Sequence, residues 1–134
     1  MKFVYICSPL RGDYEGNTEK AREYCRAATE MGVVPIAPHL LFPQFLDDTI
    51  PAERSQGLQM GLILLTRCDE LWVCSTTISE GMQEEIKVAQ CLQMPVRRLC
   101  AERREVSQPF YRIANRITHV REGVAAKPLP PAMV

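Results

Sequence analysis

The chain has 134 residues, 46% of them apolar and 24% charged, and sixteen basic residues balance sixteen acidic ones. That length suits one domain with a single core, and the composition is that of a globular protein, neither disordered nor fibrous. A net charge of zero offers no field to a nucleic acid polymer or an anionic membrane, so an anionic ligand has to be held by a local site.

The segments alternate strand and helix. KFVYICSP, residues 2–9, is a short run of β-formers followed by the turn-like RGDYEGN. Its apolar stretch is too short for a signal peptide, and no later segment approaches a membrane span, so a cytoplasmic protein is expected. TEKAREYCRAATEMG follows, with Ala21, Tyr24, Cys25, Ala28 and Met31 at helical spacing, Asn17 as the expected N-cap and Gly32 as the stop. VVPIAP reads as a second strand, with Pro35 pointing to a sheet edge. HLLFPQFLDDTIPAE is a long, proline-punctuated connection of the kind that often carries function.

A helix opening near Pro51 is predicted to pack through Leu58, Leu62 and Leu65, and DELWVCS is the third strand, with Trp72 read as packing and Asp69 as the start of the strand. The next helix, from about Glu80, buries Met82, Ile86 and Ala89 at three- and four-residue spacing. VRRLC is a fourth strand, and SQPFYRIANRITHV reads as a last helix capped by Ser107. The chain divides into one domain, 1–120, and an extended or disordered tail, 121–134, with three prolines and no periodicity. None of the six cysteines forms a C-x-x-C pair, and His39 and His119 are far apart in sequence. Buried thiols are therefore expected, with no disulfide framework, metal site or cofactor.

Such an alternation implies an α/β fold, with a small parallel sheet of four to five strands and helices on both faces. Ligands of such sheets bind beyond the carboxyl ends of the strands, where strand order reverses. This rule singles out three loops, 8–17, 38–49 and 75–81. The first holds Ser8, Arg11 and Gly12, and the third holds Ser79 and Gly81 at a helix N-terminus. Free N–H groups, a hydroxyl and a guanidinium in one place suit a phosphate, although Ser79 could equally only cap its helix and Arg11 only face solvent. Of the two adjacent carboxylates Glu84 and Glu85, only Glu85 shares a helix stripe with Gly81 and Ala89.

The layout VYICSPLRG, LLTRCDELWV and SEGMQEEIKVA, over about residues 2–100, resembles the nucleoside 2-deoxyribosyltransferase superfamily. It is close to the DUF4406 branch and to the 2′-deoxynucleoside 5′-monophosphate N-glycosidases. The paired patterns Y-x-C-x-x-x-R-G and S-x-G-x-x-x-E-x-x-x-A carry the likeness. The resemblance implies a three-layer Rossmann/flavodoxin-like fold and a small-molecule nucleotide ligand. It also implies a homo-oligomer, a dimer or higher, whose subunits complete each other's pockets. Glu85 falls on the family's nucleophile, Tyr5 on the tyrosine that orients it, and Arg11 and Ser79 on 5′-phosphate positions.

One departure stands out. Gly61, eight residues before Asp69, occupies the position of an aspartate that in active relatives assists the leaving base. His39, Asp47 and Asp48 in the long connection are candidate replacements. A histidine there either protonates a leaving base near neutral pH or makes a structural hydrogen bond. Two functions follow, an N-glycosidase or 2-deoxyribosyltransferase acting on a (deoxy)nucleoside 5′-monophosphate, and a non-catalytic nucleotide-binding protein using the same pocket.

Overall fold

A computed structural model describes residues 1–101 and 105–106. The elements are β1 (Phe3–Cys7), α1 (Tyr14–Glu30), β2 (Val34–Ile36), α2 (Pro38–Leu41), a 3-10 turn (Phe42–Gln44), α3 (Pro51–Thr66), β3 (Glu70–Val73), α4 (Glu80–Cys91), β4 (Val96–Cys100) and β5 (Glu105–Val106). The helix expected from Ser107, the tail 121–134 and the domain boundary at 120 lie outside the described residues.

The strands lie in the order β2-β1-β3-β4-β5. The first four are parallel, with Tyr5 beside Ile36 on one side and Leu71 on the other. β2 is at the edge, where its proline costs no ladder bond. β5 departs from the expected parallel sheet, because it pairs antiparallel with β4 through Leu99–Val106.

Strand alternation divides the core into two layers. Tyr5, Cys7, Leu71, Val73 and Val96 meet Leu65 of α3 and Met82, Ile86 and Ala89 of α4. Val4, Ile6, Trp72 and Leu99 meet Ala27 and Ala28 of α1 on the opposite face. The result is a three-layer Rossmann/flavodoxin-like α/β fold.

Helix boundaries follow local chemistry. Asp13, not Asn17, caps α1 by accepting from the Gly16 amide. Asn17 instead donates its side-chain amide to the carbonyls of Leu10 and Arg11 at 3.2 and 3.0 Å, which braces the loop after β1. Gly32 ends the helix with φ of 83°, a conformation that glycine adopts without strain. Pro51 opens α3, and Leu65 and Leu62 pack against the core as expected, together with the buried Gly61, whereas Leu58 is exposed.

On the α1 face, Glu70 is 4% exposed. It accepts from Trp72 Nε1 (2.9 Å), Lys2 Nζ (2.8 Å) and Arg97 Nε (3.1 Å). Burial alone would raise its pKa, but the bonds from Lys2 and Trp72 and the charge of Arg97 outweigh that and hold the carboxyl below the usual range. A depressed pKa means that this contribution is present above the unfolded value and is lost as pH falls through the folded one. Glu70→Ala is therefore expected to cost about 1–3 kcal/mol at neutral pH, the range for a buried donor left unpaired. Urea denaturation at neutral pH and near pH 3 checks this, since the gap from wild type should narrow in acid. An unchanged midpoint at neutral pH would make the cluster incidental.

Candidate functional site

The carboxyl end of β1, the loop after it, the connection after β2, the exposed stripe of α3 and the first turns of α4 enclose a cavity of about 380 Å³. It lies beside the β1–β3 contact, where the strand order reverses. Its wall is apolar, with Leu10, Phe42, Pro43, Leu46 and Leu58, and its polar groups converge from several elements, as in a site for a small organic ligand.

Glu85 projects from α4 toward β1 and lines this cavity. Its Oε2 accepts from the Tyr5 hydroxyl and its Oε1 from the Cys7 thiol at 3.4 Å, so each carboxylate oxygen has its own donor. Tyr5 and Cys7 are buried neighbours on one face of β1, two residues apart. Burial raises the pKa of Glu85, while the two donors act in the opposite direction, and the net shift is upward. Burial and the adjacent Glu85 charge push the Tyr5 hydroxyl and the Cys7 thiol up as well, so both stay protonated and donate. Glu84 is exposed beside Lys87.

His39 stands on α2, and its Nε2 is 2.8 Å from Ser8 Oγ. Burial lowers its pKa to about 4. The ring is therefore neutral at pH 7 and is not, by itself, the proton donor expected near neutrality. It fixes the buried Ser8 hydroxyl at the end of β1 instead.

Ser79 both caps α4, accepting from the Met82 amide at 3.3 Å, and lines the cavity, where its hydroxyl proton remains available. Gly81, one turn before Glu85, also lines it. Arg11 lines the mouth and pairs with Asp48 at 3.2 Å. Gly12 lies outside the lining, and its φ of 96° makes the turn from this loop into α1. Asp47, with no place in the lining, accepts from both the amide and the hydroxyl of Thr49. Asp69 accepts from the Phe3 amide and only anchors the start of β3.

Gly61 borders the cavity. A Cβ there would be 3.5 Å from the Tyr5 hydroxyl and 3.8 Å from Pro38 Cβ, in ordinary van der Waals contact with both. Gly57, one turn earlier, extends the same bare stripe. The motifs do not single out Gly57, Arg54, Glu53 and Glu80, which also line the cavity, nor the donor role of Cys7. Cys7 could have been found from its two-residue spacing from Tyr5, and Arg54 from its helix stripe with Gly57 and Gly61. Among the described residues, no group of three or more His, Cys, Asp or Glu could hold a metal ion, and no helix is long and apolar enough to cross a membrane.

A family model described as "Domain of unknown function (DUF7768)" matches residues 2–99. The chain belongs to the DUF7768 family. This is the family that matches, where the sequence resemblance pointed to the DUF4406 branch. A solved structure similar to this DUF7768 chain is the 2-deoxyribosyltransferase of the psychrotolerant bacterium Bacillus psychrosaccharolyticus. The TM-score is 0.56 and the identity 16%, over 72% of this chain and 71% of that one. At such identity the likeness shows a shared fold. No curated protein matches the chain.

Titration of Glu85 by carbon-13 NMR is expected to give a midpoint above the ordinary glutamate value of 4.5. Tyr5→Phe and Cys7→Ala should each raise it further, because each removes a donor to the charged form. A folded pKa above the unfolded one means that Glu85 destabilises the fold increasingly as pH rises between the two values. Glu85→Gln should thus be more stable than wild type at neutral pH and similar to it in acid. A midpoint at or below 4.5, unmoved by either substitution, would contradict this electrostatic account.

Proposed function

We propose that this DUF7768 protein binds a (deoxy)nucleoside 5′-monophosphate and breaks its N-glycosidic bond through Glu85, as an N-glycosidase or a 2-deoxyribosyltransferase. The observation that carries this reading is the Glu85 carboxylate, lining a cavity with both oxygens held by donors from one strand. A nucleophile held in this way is oriented before the substrate arrives. Its carboxylate oxygen attacks the anomeric carbon, and the C–N bond breaks with its electron pair leaving on the base. A glycosyl ester on Glu85 results. Water releases the sugar, or a second base takes it, and the carboxylate is restored. The departing base needs a proton. Neutral His39 can supply one only if a bound anion raises its pKa, since a nearby negative charge favours the imidazolium.

The phosphate is assigned to Arg11 and the N-terminus of α4, where Ser79 and Gly81 stand, with Ser8 beside them. Free amides and a hydroxyl there suit an anion, and the apolar wall suits the base. A second reading, a nucleotide-binding protein without turnover, is favoured by Gly61. In the enzymes that the sequence resembles, the aspartate at this position assists the leaving group. Here Gly61 carries no side chain, so this position offers no such assistance.

Base release from pooled nucleoside monophosphates, followed by mass spectrometry, separates the two readings. Wild type should release base, and Glu85→Gln should not. Arg11→Ala should weaken monophosphate binding by about 1.5–3 kcal/mol, the range for a hydrogen bond to a charged group, and leave nucleoside binding unchanged. Intact bound nucleotide with no released base would establish the binder. Turnover that survives Glu85→Gln would overturn the mechanism.

A further inference from the structure

Arg54, in the first turns of α3, lines the same cavity as Arg11. The two guanidiniums come from elements far apart in sequence, yet both converge on one oxygen. Asp48 Oδ2 is 3.2 Å from Arg11 Nε and 3.2 Å from an Arg54 terminal nitrogen, and Asp48 Oδ1 is 3.3 Å from that same nitrogen. Asp48 itself lines the cavity. Two cations facing one cavity repel each other unless an anion lies between them, and here a side chain of the chain supplies it.

We propose that Arg11 and Arg54 form a two-arginine seat for the phosphate of the ligand, and that Asp48 is a displaceable occupant of that seat. The inference rests on the nucleotide reading above and deepens it by adding the second cation and a built-in competitor.

Three observations support displacement over a fixed scaffold. First, the turn that carries Asp48 is held without its carboxylate. Asp47 accepts from the amide and hydroxyl of Thr49 at 2.9 and 2.6 Å, and the Asp47 amide donates to Glu53 at 2.9 Å. Second, the pairs are partly open to solvent, with side-chain exposures of 62% for Arg11, 32% for Arg54 and 35% for Asp48, so they are weak enough to exchange. Third, Asp48 engages one nitrogen of each guanidinium. A phosphate monoester brings nearly twice the charge of a carboxylate and three acceptor oxygens, and it can engage more of the remaining donors.

The test is calorimetric titration with inorganic phosphate, pyrophosphate and pooled nucleoside monophosphates against wild type, Asp48→Asn, Arg54→Gln and Arg11→Ala. Asp48→Asn should tighten phosphate binding by about two- to fivefold, the equivalent of releasing one part-exposed ion pair. Arg54→Gln should weaken it by about tenfold or more, as for loss of a charge-assisted hydrogen bond. Circular dichroism confirms that each variant is folded, and Asp48→Ser and Arg54→Lys serve as second variants. If Asp48→Asn weakens binding as Arg54→Gln does, Asp48 builds the seat and the proposal fails. It also fails if Arg54→Gln changes nothing, or if neither wild type nor Asp48→Asn binds phosphate. Tighter phosphate binding in Asp48→Asn without base release would leave this inference standing and remove the N-glycosidase reading. Base release with phosphate affinity indifferent to Asp48 and Arg54 would do the reverse.

Discussion

A carboxylate that faces the buried side of a sheet must either lose its charge or be met by donors. Glu85 meets that constraint on the face of β1. Val4 and Ile6 fill the opposite face of that strand with ordinary apolar packing, while Tyr5 and Cys7 turn a hydroxyl and a thiol toward α4. Both groups count as core by burial, and both supply a proton to the same carboxylate. The stripe on α4 obeys the same division, with Met82, Ile86 and Ala89 buried against the sheet and Glu85 at the edge of the cavity. Gly61 completes the arrangement, since it places no side chain against the Tyr5 hydroxyl.

Topology brings the remaining groups to that carboxylate. In the order β2-β1-β3-β4 the chain leaves β1 toward one edge and returns across it to β3. The loops after β1 and β3 therefore flank a crevice at the carboxyl ends of the strands. The loop after β1 is braced by Asn17, which ties up two of its carbonyls, and Arg11 of that loop lines the cavity. The connection after β2 folds into a helical turn and a 3-10 turn, with Phe42 and Phe45 packed edge to face at 6.0 Å. From there it delivers His39 to Ser8 and Asp48 to the two arginines.

Much of this was legible in the sequence, and the parts that were not share a physical cause. The helix on Met82, Ile86 and Ala89 and the edge position of Pro35 follow from periodicity and from the missing amide of proline, both local properties. The choice of Glu85 over Glu84 also follows from helix geometry. The misjudged cap of α1 is a competition between two good capping residues four positions apart. Asp13 takes the amide because the helix already begins at Tyr14, which puts Asn17 inside its first turns, where the side-chain amide donates to carbonyls of the preceding loop. Leu58 reads as core because it shares the spacing of Leu62 and Leu65, but only those two reach the core, and Leu58 lines the cavity with the glycines and Arg54. Cys7 reads as a small buried hydrophobe, and it is buried, but its hydrogen bond depends on a residue in a distant helix. The charge of His39 depends on burial by a connection with no sequence period, and β5 pairs only through tertiary contact.

The claim on which the functional account stands is that Glu85 forms a bond to the sugar. Peptide mass spectrometry after rapid acid quenching of the protein with a nucleoside monophosphate pool measures this directly. The account predicts a mass increase equal to one sugar 5-phosphate on the peptide that contains Glu85, accompanied by free base and absent from Glu85→Gln. Free base with no adduct on that peptide, or an adduct that persists in Glu85→Gln, would contradict it.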